Sequence, residues 1–191
     1  MNTSGEQAKP EVLILLSGGI DSAACLDFFL DLGREPCALF VGYGQAAEQQ
    51  ETQAALAIAH HYNVAIDNIR WTGARQKGPG VISGRNASLI TAAMMERPSS
   101  VSVIALGIHA GTGYADCSTA FVRNMQQVLD LYSEGVQLAA PFLNWTKADV
   151  LEYCTMRDVP LHMTYSCEKG FVSPCGDCLS CLDRRALDAR T

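Results

Sequence analysis

Two kinds of segment alternate along this chain. Short segments of strand length, the first two apolar throughout and the others with polar interruptions, occur at Val12–Leu16, Cys37–Val41, Ala65–Trp71, Val101–Gly107 and Val136–Ala140. Between them lie longer stretches with helical character. They are Ile20–Leu32, carrying Ala24, Leu26, Phe28 and Leu30, then Gln45–Tyr62, a helix opening near Asn86 and covering Ala87–Met95, Thr119–Tyr132, and Thr146 to Arg157. The last begins with Thr146-Lys147-Ala148-Asp149, a capping box. Strand–helix alternation predicts parallel βαβ units with right-handed crossovers. The expected fold class is therefore α/β, a doubly wound five-stranded parallel sheet, which binds ligands at the carboxyl ends of its strands. The pattern stops at about Val159. The expected organisation is a polar, disordered start over 1–10, an α/β domain over 11–158 and a small C-terminal segment over 159–191.

Composition narrows the class. The chain has 191 residues, 48% of them hydrophobic, enough for one core. No apolar run approaches the roughly 18 residues of a membrane span, and 12–16 is too short for a signal peptide, so a cytoplasmic location is expected. The formal net charge of −6, with no basic run, argues against an extended nucleic-acid surface.

The chemistry begins where the first strand ends, at Ser17-Gly18-Gly19-Ile20-Asp21-Ser22. A strand that turns through glycines into a helix points unpaired N–H groups and the positive dipole end at one spot, where phosphate binds. Ser17 and Ser22 add hydroxyls. Asp21 would repel phosphate unless Mg²⁺ lay between them. The segment is neither a Walker A loop nor a G-x-G-x-x-G fingerprint; it resembles the SGGxDS pyrophosphate loop of the ATP pyrophosphatases (the PP-loop superfamily), which cleave ATP between the α- and β-phosphates.

Four of the eight cysteines fall in the last 25 residues, as Cys167-x7-Cys175-x2-Cys178-x2-Cys181. In a reducing compartment such clustering indicates a metal before disulfides. Four thiolates suit tetrahedral Zn²⁺ in a closed, structural site, although C-x2-C-x2-C also serves iron–sulfur ligation and spacing leaves both open. Cys25, Cys37 and Cys154 read as core residues, and Cys117, with no base in evidence, as packing.

Further motifs follow in order along the chain. Tyr43-Gly44-Gln45 stands after the second strand, with Glu51 in the next helix; Gly84-Arg85-Asn86 precedes a helix; Gly113-Tyr114-Ala115-Asp116-Cys117, Pro141-Phe142…Thr146-Lys147 and Thr164-Tyr165-Ser166-Cys167 come later. Together with the phosphate loop and the cysteines, from about Val12 to Arg185, they resemble the QueC family, the 7-cyano-7-deazaguanine synthases of queuosine and deazapurine biosynthesis. That resemblance implies an adenine-nucleotide α-hydrolase-like (Rossmann-like) sheet, a homodimer, and ATP, Mg²⁺ and one structural Zn²⁺. It also implies conversion of a carboxylate on 7-deazaguanine to a nitrile with ATP and ammonia.

By the resemblance, Ser17, Gly18, Gly19, Asp21, Ser22 and Lys147 would hold the nucleotide and metal, with Asp21, Lys147 and Arg85 in the chemistry. Tyr43, Gln45, Arg85, Asn86, Tyr114 and Asp116 would hold the acid, and Cys167, Cys175, Cys178 and Cys181 the zinc. Physics supports some of this independently. A lysine at the first position of a helix opposes the dipole, so a local anion would explain Lys147 as well as solvation would. Arg85 could meet a phosphate or carboxylate, or form a surface ion pair. Asp116 could accept from a guanine-like N–H edge, or cap a helix.

The chain also departs from the family. The segment Gly73–Gly84 is short, His109 stands where the family has asparagine, and Ser118 where it has arginine. These changes fall on the expected substrate side. Two alternatives to the synthase therefore stand: a divergent ligase passing a deazaguanine-type acid to another amine, such as one on a protein substrate, and a non-catalytic nucleotide-binding protein.

Overall fold

The computed structural model describes residues 10–109 and 112–188. The expected disordered start, 1–10, lies outside the described residues except for Pro10. Five strands, β1 (Val12–Leu15), β2 (Pro36–Gly42), β3 (Ile66–Arg70), β4 (Val103–Leu106) and β5 (Gln137–Ala139), form one sheet in the order β3-β2-β1-β4-β5. Every pairing is parallel, with Val12 opposite both Pro36 and Val103. Between the strands lie α1 (Ile20–Asp31), α2 (Glu48–His61), α3 (Arg85–Glu96) and α4 (Thr119–Tyr132). After β5 come α5 (Lys147–Met156) and α6 (Leu179–Asp188). The expected doubly wound sheet is the fold observed, with element ends moved by at most a few residues.

β1 is apolar throughout because both of its faces are covered, as parallel strands require. Val12, Ile14 and Leu16 meet α1, α2 and α5, while Leu13 and Leu15 meet α3 and α4 in a second core. β3, at an edge, instead carries exposed Asp67, Asn68 and Arg70, which discourage pairing with another chain. Phe142, fully buried, anchors the approach to α5, with ring centroids 4.8 Å from Trp145 and 5.8 Å from Phe28 and Tyr153. Cys25, Cys37 and Cys154 are buried, as their positions implied.

The C-terminal segment, where the strand–helix pattern of the sequence stops, nonetheless carries a helix, α6, and it is fastened to the α/β domain. The Tyr165 backbone N–H donates to the Gly18 carbonyl oxygen at 2.9 Å. Gly170 (φ +74°) sits so close to the loop before α2 that a Cβ there would overlap the Ala46 carbonyl. Arg184, from α6, donates to Thr164 Oγ1 at 2.6 Å and to the Leu161 carbonyl at 2.9 Å.

The strand order reverses between β1 and β4. At their carboxyl ends lies a cavity of about 660 Å³, lined by residues from the β1–α1 loop, the β2–α2 loop, the start of α3, the loop after β4, the start of α5 and the C-terminal segment. A crevice at this switch point is where a doubly wound sheet binds its ligand.

Candidate active site

One wall is the loop after β1. Ser17 Oγ donates to Ser22 Oγ at 3.1 Å, Ser22 Oγ donates to the Gly19 carbonyl at 3.0 Å, and the Gly19 N–H donates to Ser17 Oγ at 3.4 Å. Among the described residues no side chain caps α1, so its first-turn N–H groups are left without a side-chain acceptor. Ser17, Gly19, Asp21 and Ser22 line that cavity. Gly18 lies behind it. Its φ of +82° is glycine's, and a Cβ would stand 2.6 Å from the Glu51 carbonyl oxygen.

The second wall joins α1 to α5. Lys147 Nζ lies 2.6 Å from Asp21 Oδ1 and 2.8 Å from Oδ2, with both side chains about one quarter exposed. The local anion that a lysine at the start of α5 called for is thus, in part, Asp21. His109, buried in the loop after β4, brings Nε2 to 3.9 Å from Asp21 Oδ2. The sequence flagged His109 as a departure and gave it no partner; its nearness to Asp21 follows from β4 lying beside β1.

The third wall gathers the remaining candidates. The Tyr43 N–H donates to Gln45 Oε1 at 2.8 Å, and Gln45 Nε2 donates to Glu51 Oε2 at 2.9 Å. Burial pushes the Tyr43 phenol up to about 12, with Glu51 adding to the rise and Arg85 opposing it. Glu51 is raised as well, again chiefly by burial, against the Gln45 hydrogen bond and the Arg85 charge. Arg85 Nε donates to Asn86 Oδ1 at 3.2 Å, and buried Asn86 donates through Nδ2 to the Asp116 carbonyl at 3.2 Å. Asp116 sits in a 3₁₀ turn, Ala115–Cys117, and is not a cap. Ser118 caps α4, its Oγ accepting from the Phe121 N–H at 3.2 Å. Asp116 and Tyr114 both line the cavity. Cys117 packs against the second core and its thiol is raised by burial, as packing rather than nucleophilic use requires.

Sequence reasoning missed the fourth wall. Tyr165, Ser166, Glu168, Ser180, Asp183 and Arg184 all line the cavity. Behind them the Cys167, Cys175, Cys178 and Cys181 sulfurs lie within 4.8 Å of one another. All four are free thiols, so the set could hold a metal ion, and the N–H groups of Cys175 and Cys178 donate to neighbouring sulfurs at 3.4 Å. The four-cysteine motif was legible, but its packing on the cavity was not.

The family model described as "Queuosine biosynthesis protein QueC" matches residues 11–77 and 75–189. The chain belongs to the QueC family. Among the QueC relatives, the 7-cyano-7-deazaguanine synthase of Parasynechococcus marenigrum is 31% identical over 202 residues, covering 90% of this chain and 89% of that one. The synthase of Gloeothece citriformis is 31% identical over 214 residues, covering 95% and 93%. QueC membership makes the chain an enzyme, an ATP-dependent ligase. Solved structures repeat the fold. A predicted subunit of tRNA methyltransferase from Methanocaldococcus jannaschii superposes with a TM-score of 0.58 at 16% identity, over 77% of this chain and 76% of that one. The NMN synthetase of Francisella tularensis gives 0.52 at 18%, over 94% and 77%. Among the described residues, no helix is long and apolar enough to cross a membrane.

Proposed function

We propose that this chain, working in the cytoplasm, joins 7-carboxy-7-deazaguanine to ammonia at the expense of ATP and carries the product on to 7-cyano-7-deazaguanine. The observation that carries this reading is the meeting of the uncapped β1–α1 loop with Asp21, Lys147 and His109 at the switch-point cavity of a QueC-family chain. A carboxylate is a poor acyl electrophile. Attack of its oxygen on the α-phosphorus of ATP expels pyrophosphate and leaves an acyl adenylate. Ammonia then forms the C–N bond as AMP departs with the C–O electron pair. A second activation, on the amide oxygen, makes that oxygen a leaving group and permits elimination to the nitrile.

The residues divide these tasks. Ser17, Gly18, Gly19 and Ser22 hold the pyrophosphate through backbone N–H groups and hydroxyls. Lys147 offsets charge at the α-phosphate, where preorganised charge matters most. Asp21 holds the metal; Mg²⁺, when bound, neutralises phosphate charge. Arg85 meets the substrate carboxylate, and Asp116 accepts from the guanine-like edge. Tyr43, Gln45, Asn86 and Tyr114 shape the pocket.

Zinc is the metal we assign to the four cysteines. A tetrahedron with Zn–S bonds near 2.3 Å has sulfur–sulfur edges of about 3.8 Å, and Cys175 Sγ lies 3.9 Å from Cys181 Sγ. An iron–sulfur cluster, with iron and sulfide between the thiolates, holds them further apart.

Mass spectrometry of a reaction with Mg·ATP, 7-carboxy-7-deazaguanine and ammonium tests the proposal. Nitrile, AMP and pyrophosphate are the expected products. Product that stops at the amide or adenylate would overturn the nitrile step, and no AMP would overturn the ligase reading on this acid.

A further inference from the structure

At neutral pH ammonia is almost wholly ammonium, which has no lone pair to attack with. An ammonia-using ligase therefore needs a place for a small cation and a group that takes its proton beside the acyl centre. Asp21 is already paired with Lys147, and the Asp116 carboxylate has its role at the base edge.

Of the other acids that line the cavity, Glu168 is held by the Ser180 N–H and hydroxyl and Asp183 is exposed on α6, which turns attention to Glu51. It lines the cavity from the first turns of α2. Its own backbone carbonyl packs against Gly18, so the residue abuts the loop after β1 while its side chain belongs to the cavity lining. Gln45 is locked by the Tyr43 N–H and donates to Glu51 Oε2, so one carboxylate oxygen is fixed. Tyr43 lies within reach of its charge and so does Tyr165, the tail residue bonded to Gly18. Arg85 and Glu48 are the other charges that act on it.

We infer that Glu51 is the docking site for the nitrogen nucleophile, a small ammonium-type cation, and the base that deprotonates it. One N–H bond of ammonium breaks and its proton passes to the Glu51 carboxylate. The freed lone pair forms the C–N bond to the acyl carbon, the C–O bond to phosphate breaks, and AMP leaves with that electron pair. The second proton leaves the new amide nitrogen for the departing phosphate. The inference rests on the ligase reading. The upward shift of Glu51 brings its basicity closer to neutral pH, where proton transfer is most effective.

The test compares Glu51→Gln with wild type, each in Mg·ATP and the acid, using ammonium or hydroxylamine, which is uncharged at neutral pH. Loss of a general base costs on the order of 10²–10⁴-fold. Ammonia-dependent product is expected to fall by about that range and hydroxamate by less than about 10-fold; the wild-type rise in rate with pH is expected to become, in the variant, a line tracking free ammonia. The folded carboxyl has a raised pKa, so its stabilising contribution is complete at low pH and is lost as pH rises through the folded value. Glutamine, uncharged and able to keep the Gln45 bond, is therefore expected to hold or raise the melting temperature at neutral pH. Equal losses with both nucleophiles, no loss with ammonium, or a clearly lower melting temperature would overturn the inference. A wild type that forms no AMP would overturn the ligase reading and this inference with it, a result distinct from AMP formation with an unchanged nucleophile ratio.

Discussion

Lys147 and Asp21 are 126 residues apart and form a two-pronged ion pair. The same offset recurs down both helices: Tyr153 Oη donates to Asp27 Oδ2 at 2.6 Å, and Arg157 Nη1 reaches Asp31 Oδ1 at 2.7 Å. α1 and α5 therefore run side by side in register, and their N-termini open together beside the phosphate loop. Two positive dipole ends with a lysine between them suit an anion, and Asp21 holds that lysine at the cavity.

Asp21→Asn is therefore expected to cut AMP formation by roughly 10²–10³-fold, the range for removing one preorganised electrostatic group. Its far-UV circular dichroism and zinc content should match wild type. Lys147→Ala is expected to raise the KM for ATP together with a fall in kcat. A pyrophosphate-release assay checks both, and near-normal release from Asp21→Asn would remove the proposed metal role.

Asp27 is buried and accepts from Tyr153, from Tyr62 at 3.2 Å and from Arg157 Nε at 3.2 Å. Tyr153→Phe leaves a buried carboxylate one donor short and should cost about 1.5–3 kcal/mol in urea unfolding. Asp27→Ala strands three donors and should cost more, about 3–5 kcal/mol.

The purified protein is expected to be colourless and to carry one zinc per chain by elemental analysis. Cys178→Ser should lose the metal, and because the segment it organises forms a cavity wall, ATP affinity should fall with it. Calorimetric titration with ATP reads that loss. A metal-free variant that binds ATP normally would show that the wall stands without the metal.

Asp149 closes the capping box of α5, accepting from the Thr146 N–H at 2.7 Å and hydroxyl at 2.9 Å. Those hydrogen bonds hold its carboxyl below the usual range. A lowered folded pKa means stability that is present above the unfolded value, near 4, and is lost as pH falls through the folded value. Wild type and Asp149→Ala should therefore differ in melting temperature at neutral pH and converge in acid. A difference that persists at low pH would contradict the assignment.

Much of the architecture was legible because the central strands β1, β2 and β4 are buried on both faces and so carry no polar residue. Thr119–Tyr132 coincides with α4 to the residue, and Ile20–Leu32 overshoots α1 by one. α6 was not legible. Its first turn follows a Cys/Gly/Pro-rich stretch that reads as loop, and Glu168, eleven residues before Leu179, holds that turn by accepting from the Ser180 N–H and hydroxyl. No local pattern encodes a cap supplied from so far away. The capping choice at Asp116 was equally ambiguous, since Asp and Ser are both good caps and only the backbone path decides between Asp116 and Ser118.

The sequence by itself determined the fold class, the glycine turn from β1 into α1, the capping box and the four-cysteine set, because each is carried by neighbouring residues: periodicity of burial, turn chemistry and ligand spacing. Tertiary structure alone decided that Lys147 answers Asp21, that His109 stands beside that pair, that Glu51 abuts the loop after β1, and that the C-terminal segment closes the cavity. These depend on strand order and helix register, which bring together residues far apart in the chain, 126 positions for Lys147 and Asp21, and no local propensity specifies them.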